Sequence, residues 1–437
     1  MLDIHRPPFH FPCHVGGEPL EREERLLVRY PYTGEVVGSV PSLSAEDVAR
    51  AIALAAAVGP APSRYERGQV LLRAAARIEG EAEPVARLIT WESGLCLKDT
   101  RHEVQRTLDV LRFAAAEALR DDGQCFSFDT SAHGRARRGY TLREPLRVVS
   151  AITPFNHPLN QVAHKVAPAI AVGSPLVLKP SERTPLSALY LASVLHDAGL
   201  PPGRLSVVTG APRELGPVLI NHPDVELVAF TGGVEVGKRI AAQLGYRRAL
   251  LELGGNDPLI VLEDADLEEA VRLAVSGCYR NSGQRCTAVK RLLVVAPLAD
   301  AFAARFTEAS AALKVGDPLD ASTDMGTVIS EEAARELEER ARRTLADGAT
   351  LLYGHRREGA LFWPTVMDHV RPTSESVRTE TFGPHGPILR VRDADEALRV
   401  ANDTPYGLSA SVCINDLTLA HRFVRELRCG TVNIREV

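Results

Sequence analysis

The chain has 437 residues, 45% hydrophobic and 24% charged, the make-up of a soluble globular protein too long for one ordinary core. A net charge of −5 excludes a general nucleic-acid surface, so any basic site must be local. Seven scattered cysteines make no disulfide framework, no apolar run is long enough to span a bilayer, and Met1 to Gly17 lacks the apolar core of a secretory signal, so a reducing cytoplasm and no membrane partner are expected.

Near the N-terminus, His5, His10, Cys13 and His14 match no zinc-ligand spacing, and no metal site is expected. Leu26 to Val40 alternates apolar and polar residues around Pro31-Tyr32-Thr33-Gly34 and reads as strand, turn and strand. Ser44 with Asp47 forms an Asp variant of the capping box, opening a helix that Val48, Ile52 and Ala55 continue. Further helices follow from Glu66 to Ile78, from Glu83 to Glu92 and from about Lys98. On the last, Val104, Leu108, Leu111 and Ala115 form the apolar stripe, and Arg106 lies off it. Gln124 to Phe128 and Arg138 to Arg143 read as two strands across a polar turn, an exposed hairpin whose edge invites pairing with another subunit.

After Pro145 the chain alternates strand and helix, as a doubly wound α/β sheet requires. Leu146 to Ile152, Pro175 to Leu178, Leu205 to Val208 and Glu226 to Phe230 read as strands. Asn160 to Ile170 and Thr184 to Ala198 read as helices, the second closing at Gly199. No period repeats, and no low-complexity linker divides the chain.

Chemistry concentrates in two stretches, Leu251-Glu252-Leu253-Gly254-Gly255-Asn256-Asp257-Pro258 and Asn281-Ser282-Gly283-Gln284-Arg285-Cys286-Thr287. A cysteine in a polar, Gly-containing loop can form a covalent intermediate, and a carboxylate on a loosened segment can activate the water that releases it. Either alone is equally a packing cysteine or an ordinary loop residue. In Thr153-Pro154-Phe155-Asn156-His157-Pro158, the Asn156 amide offers a neutral donor to a developing oxyanion, with the Cys286 N–H as a second donor, or else it stabilises the turn. Thr231-Gly232-Gly233 follows a strand and opens a helix, so it can bring N–H groups to a pyrophosphate, but it is not Gly-x-Gly-x-x-Gly. Lys179 and Glu182 leave the end of a strand, where they can bond the two hydroxyls of a ribose while the carboxylate opposes a 2′-phosphate. The same segment can cap the following helix.

Together these motifs resemble the aldehyde dehydrogenase superfamily, and the resemblance extends from about Leu26 to Val437. It implies an α/β fold of two doubly wound Rossmann-like domains with a small oligomerisation hairpin. The expected divisions are residues 1–120 and 145–250 for NAD binding, 121–144 for the hairpin, 251–421 for the catalytic domain, and 422–437 for the start of a shortened C-terminal arm. It implies that Cys286 attacks an aldehyde carbonyl, that Asn156 and the Cys286 amide hold the oxyanion, that hydride passes to nicotinamide, and that Glu252 activates water against the thioester. Lys179 and Glu182 would hold the adenosine ribose and Gly232-Gly233 the phosphates. Glu380 would bind the nicotinamide ribose and Phe382 pack on the nicotinamide, with NAD favoured over NADP.

Arg285 and His157 flank the reacting groups, where cations would lower the thiol pKa and pair with an anionic substrate. The runs Thr153 to Ile170, Tyr246 to Val261 and Ser282 to Arg291 are most similar to phosphonoacetaldehyde dehydrogenases, a resemblance that implies phosphonate contacts for Arg106, His157 and Arg285. The expected substrate is therefore a small phosphonate-bearing aldehyde, with lactaldehyde or glyceraldehyde-3-phosphate as alternatives and a catalytically silent binding or structural protein as the other class. A homodimer or homotetramer is implied. The family continues a few dozen residues beyond the position of Val437, including a Pro-Phe-Gly-Gly segment and a final intersubunit strand, so weakened assembly around an exposed hairpin edge is expected. Cys96, Cys125, Cys278, Cys413 and Cys429 read as structural.

Overall fold

Short apolar runs separated by helices can pair in parallel only through crossovers. In the computed structural model, which describes residues 2–437, Val149–Ile152, Leu176–Lys179, Leu205–Val207, Leu227–Thr231 and Arg248–Glu252 do so. Their spatial order is 248–252, 227–231, 149–152, 176–179, 205–207. The order reverses between Val149–Ile152 and Leu227–Thr231, and such a switch point leaves a crevice at the carboxyl ends of the strands. The loops carrying Asn156 and Gly232-Gly233 leave these two strands. Cys13–Val15 joins the far edge antiparallel to Leu205–Val207, and Glu18–Leu20 pairs outside it. This second hairpin is too short to leave an alternation in the sequence.

Buried carboxylates fix the helices that flank this sheet. Glu92 accepts the Leu186 and Ser187 amides at 2.6 and 3.0 Å, capping Leu186–Asp197 from another helix. Glu103, on the long helix Leu97–Glu117, accepts the Leu159 and Asn160 amides at 2.8 and 2.9 Å and starts Asn160–Val172. Each satisfies N–H groups that a helix start leaves without partners. The Ser44–Asp47 capping box forms at Ala45–Ala56.

A second seven-stranded sheet runs in the order 350–353, 365–368, 385–391, 289–295, 257–261, 409–413, 431–434. It is parallel except for the antiparallel edge strand Thr350–Tyr353. Every residue of Asp257–Val261 and Val289–Val295 is buried, as in parallel strands covered on both faces. Leu259 and Val261 pack with Phe302 and Phe306, while Ile260 and Leu293 pack with Ala397 and Phe423 on the other side. The fold is therefore α/β with two doubly wound layers.

Two boundaries differ from expectation. Residues 422–437 do not begin a separate arm: they finish the Leu417–Glu426 helix and add Thr431–Ile434 to the second sheet, parallel to Ser409–Cys413. Leu251 and Glu252 end the edge strand of the first sheet, and the second sheet starts only at Asp257. The hairpin Cys125–Ser127 with Arg138–Tyr140 belongs to neither sheet and exposes Phe126, Phe128, Tyr140 and Leu142. Its Cys125 is exposed and so does not pack as expected, whereas Cys96, Cys278 and Cys413 are buried.

Candidate active site

The turn before Cys286 is built from three successive left-handed residues, Asn281 at φ 60°, Ser282 at φ 53° and Gly283 at φ 69°. Two non-glycine residues there cost about 1 kcal/mol or more each, so surrounding contacts must hold the turn. Asp99 Oδ2 accepts the Asn281 N–H at 2.8 Å, the Asn281 side chain donates to the Asn156 carbonyl at 2.9 Å, Ser282 Oγ donates to the Gly326 carbonyl at 3.2 Å, and Gln284 Oε1 accepts the Ile329 N–H at 2.9 Å. These contacts come from the Leu97–Glu117 helix, the Asn156 loop and the 326–329 loop. They leave Cys286 half-buried at the floor of a cleft of about 620 Å³.

Asn156 is brought to this turn. Its Nδ2 donates to the Gln284 carbonyl at 2.8 Å, leaving a second N–H of the same amide for another acceptor. Glu252 lies on the adjoining strand end, where its carbonyl accepts the Gly232 N–H at 3.1 Å. Its carboxylate faces Lys165, a buried lysine that burial pushes below the usual ammonium range and Glu252 pulls back up. Lys165 was not singled out from sequence, because nothing in a helix interior marks which way a lysine points.

Two expectations for Arg285 are corrected. The side chain is 6% exposed and does not line the cleft. Its Nη2 donates to the Ser276 and Gly277 carbonyls at 3.2 and 2.8 Å, near the end of Leu267–Tyr279, where a cation suits the helix dipole. One Nη is thus committed to the helix end, while Nε is buried without a partner. Nor is the Cys286 thiol depressed: burial raises it above the usual thiol range, with Lys290 as the leading opposing charge. Desolvation of a thiolate here outweighs nearby positive charge.

Beside Asn156 on the side away from the cleft, the Leu97–Glu117 helix, the His157 loop and the start of the Cys286 turn converge. His157 Nδ1 stands 3.4 Å from Glu103 Oε2. Arg106 and Arg280 are exposed, and among the described residues neither guanidinium has an ion-pair or hydrogen-bond partner. Burial first, then Arg280 and Arg106, holds His102 below its usual range; burial and then Arg106 does the same to His164. Two unpartnered guanidinium groups thus stand near His102 and His164, whose basicity burial and these charges reduce. Arg280, His102 and His164 were missed in the sequence, although Arg280 immediately precedes the nucleophile motif.

The cleft on the other face brings the remaining predicted residues together. Gly232, Gly233, Glu182, Glu380 and Phe382 line it. Gly233 caps the Val234–Ala241 helix, and a Cβ there would meet nothing within 4 Å, so the first-turn amides face open space suited to a phosphate. Lys179 is buried beside it, its Nζ 3.6 Å from Glu182 Oε2, a lysine–carboxylate pair suited to ribose hydroxyls. Phe382 meets Phe155 edge-on at 5.9 Å between centroids, presenting an apolar wall next to Cys286. An open helix start, a diol-binding pair and an aromatic wall in one groove fit a nicotinamide dinucleotide.

The Aldehyde dehydrogenase family model matches residues 20–437. The chain belongs to the aldehyde dehydrogenase family. Among aldehyde dehydrogenase relatives, it is 41% identical over 420 residues to aspartate-semialdehyde dehydrogenase 1 of Pseudomonas canavaninivorans, covering 95% of this chain and 88% of that protein. It is 37% identical over 424 residues to 3-sulfolactaldehyde dehydrogenase of Priestia aryabhattai, covering 97% and 89%. The crystal structure of the NADP-dependent glyceraldehyde-3-phosphate dehydrogenase from Bacillus halodurans C-125, complexed with NADP, superposes with a TM-score of 0.94 at 38% identity, covering 98% of this chain and 91% of that one. This aldehyde dehydrogenase is an NAD(P)-dependent oxidoreductase acting on small aldehydes. Among the described residues no helix is long and apolar enough to cross a membrane.

Proposed function

We propose that this enzyme oxidises a short anionic aldehyde, such as phosphonoacetaldehyde, to its carboxylic acid with NAD. The observation that carries this reading is the pair of unpartnered guanidinium groups, Arg106 and Arg280, beside Asn156 and His157. Aspartate semialdehyde, sulfolactaldehyde and glyceraldehyde-3-phosphate, named for the three relatives above, all carry an anionic group close to the aldehyde. Carboxylate, sulfonate, phosphate and phosphonate are all matched by an arginine fork. Relative to the sequence reading, Arg280 replaces Arg285 in the anion-binding set, while Arg106 and His157 remain.

Cys286, as thiolate, adds to the aldehyde carbon, and the free N–H of Asn156 with the Cys286 amide stabilises the resulting oxyanion. Bound NAD would supply the acceptor for the hydride that leaves this adduct as the thioester forms. Phe382 and Phe155 restrict water on that face while Glu380, Lys179, Glu182 and the Gly232-Gly233 turn hold the dinucleotide. Glu252 then takes a proton from water, which attacks the thioester carbon, and the acid leaves as Cys286 is restored. The reading of NAD over NADP is supported by the Glu182 carboxylate beside Lys179, which would repel a 2′-phosphate, and by the pairing of neighbouring Arg183 with Glu332 at 3.8 Å. The exposed hairpin edge and its apolar side chains suit assembly as a homodimer or homotetramer, in a cytoplasm that keeps the thiol reduced.

The test is steady-state NAD reduction with phosphonoacetaldehyde, lactaldehyde, glyceraldehyde-3-phosphate and acetaldehyde, for wild type and for Arg106→Met and Arg280→Met. A charge-assisted contact is worth about 1.5–3 kcal/mol, so each change should raise KM for the anionic substrates by roughly tenfold or more while leaving acetaldehyde nearly unaffected. Equal changes for charged and uncharged substrates would refute an anion-reading mouth. A preference for lactaldehyde would refute the anionic class.

A further inference from the structure

Lys290 lies four residues beyond Cys286 on the Val289–Val295 strand and is 2% exposed. A buried ammonium is tolerated only when its three donors are satisfied. All three are. Nζ donates to the Arg285 carbonyl at 2.8 Å, to the Cys286 carbonyl at 2.8 Å and to Glu380 Oε1 at 3.2 Å. The same Glu380 oxygen accepts the Gly255 N–H at 3.1 Å. The Gly-Gly segment passes so closely that a Cβ on Gly254 would stand 2.1 Å from Glu380 Oε2, and one on Gly255 would stand 2.4 Å from the Cys286 carbonyl. Lys290 also lies 5.9 Å from the Phe382 ring centroid. The cysteine turn, the glycine link and the Glu380 loop, far apart in sequence, thus meet at one ammonium.

The geometry points to Lys290 as a positioning residue that ties the Cys286 turn to the Glu380 carboxylate and supplies the positive charge against which the Cys286 thiolate forms. This rests on Cys286 being the nucleophile. The charged groups facing the sulfur are Lys290, which favours the thiolate, and Asp257 and Glu380, which oppose it; Arg285 faces it from its own turn. Burial pushes Asp257 up to about 7, so near neutrality it is only partly charged, and Lys290 is shared chiefly with Glu380. Removing the lysine leaves the acids unopposed. Removing the Glu380 charge leaves the lysine to the sulfur and the partly charged Asp257. The two changes must therefore move thiol ionisation in opposite directions.

The experiment is the pH dependence of iodoacetamide alkylation in the full-length, cofactor-free enzyme, with the site of labelling read by mass spectrometry. Lys290→Met is expected to move the Cys286 midpoint up by about one pH unit, Lys290→Arg to stay near wild type, and Glu380→Gln to move it down. A folded Lys290→Met enzyme with an unmoved midpoint overturns the proposal. Should Lys290→Met not fold, a midpoint in Glu380→Gln that is unmoved or raised overturns it equally. Failure of the underlying reading is separable: wild-type protein alkylated at Cys286 that still reduces NAD at full rate removes Cys286 as nucleophile, whatever the midpoints.

Discussion

Gly283→Ala tests whether the left-handed turn is what places the thiol. Gly283 sits at φ 69°, and a Cβ there would stand 2.3 Å from both the carbonyl carbon and oxygen of Gly383 and 2.7 Å from Pro384 N. All of these are backbone atoms, so no side-chain rotation relieves the contact. The left-handed conformation costs alanine about 1–2 kcal/mol, and pushing two backbones apart costs a further 1–3 kcal/mol or so. A loss of about 3 kcal/mol lowers Tm by about 3 °C if the chain unfolds as one unit, and by more if the second layer unfolds alone. Activity should suffer more than stability. A shift of about 1 Å at the turn moves Cys286 and the Glu380–Phe382 segment together, for which roughly a hundredfold loss of kcat is expected. Thermal unfolding followed by circular dichroism, alongside NAD reduction, measures both. A variant with wild-type Tm and wild-type kcat would show that the turn is neither tight nor needed, and the geometric account would be wrong.

Glu252→Gln should keep a first-turnover burst of NADH and then stall, because only release of the acyl group needs the base; wild-type steady-state turnover would rule out that role. Asn156→Ala should lower kcat by about 10²–10³ with little change in KM, and a kcat within twofold of wild type would remove it from the oxyanion site. Arg285→Met should lower stability by about 1–2 kcal/mol by uncapping the helix carbonyls, while raising KM for charged and uncharged aldehydes alike; a selective loss on anions would return it to the substrate mouth. His14 is buried, stacked on His196 at 5.3 Å and pushed down to about 4, chiefly by burial and then by His196. Above pH 6.5 it is neutral folded or unfolded, and as pH falls towards 4 only the unfolded chain takes up the proton. About 3 kcal/mol of stability is therefore lost across that window. His14→Leu should flatten this acid limb in denaturant titrations, and an unchanged limb would contradict it.

Much of the site was legible because its chemistry is written in loops that follow strands. Asn156, Gly232, Gly233 and Cys286 each lie just past an apolar run or in a Gly-marked turn, where sequence spacing and spatial position coincide. The failures share a cause. Arg285 was assigned to the substrate because it adjoins Cys286, yet its Nη2 is held by the Ser276 and Gly277 carbonyls, partners that its place beside Cys286 does not reveal. Thiol ionisation was misjudged because flanking charges are visible in a sequence and burial is not. Arg280, Lys290 and Glu103 act across gaps of dozens of residues, and no local pattern announces such partners. The N-terminal strands Cys13–Val15 and Glu18–Leu20 were missed because three residues hold too little periodicity.

Glu252 closes the last strand of one layer, whereas Cys286 stands just before the second strand of the other, and only Leu253, Gly254, Gly255 and Asn256 join them in sequence. Successive halves of the reaction are thus drawn from two layers joined by a two-glycine link that packs closely on Glu380 and the Cys286 carbonyl. The gap between carboxylate and sulfur is accordingly set by how this link packs, and substitutions within it that touch neither group would alter that gap.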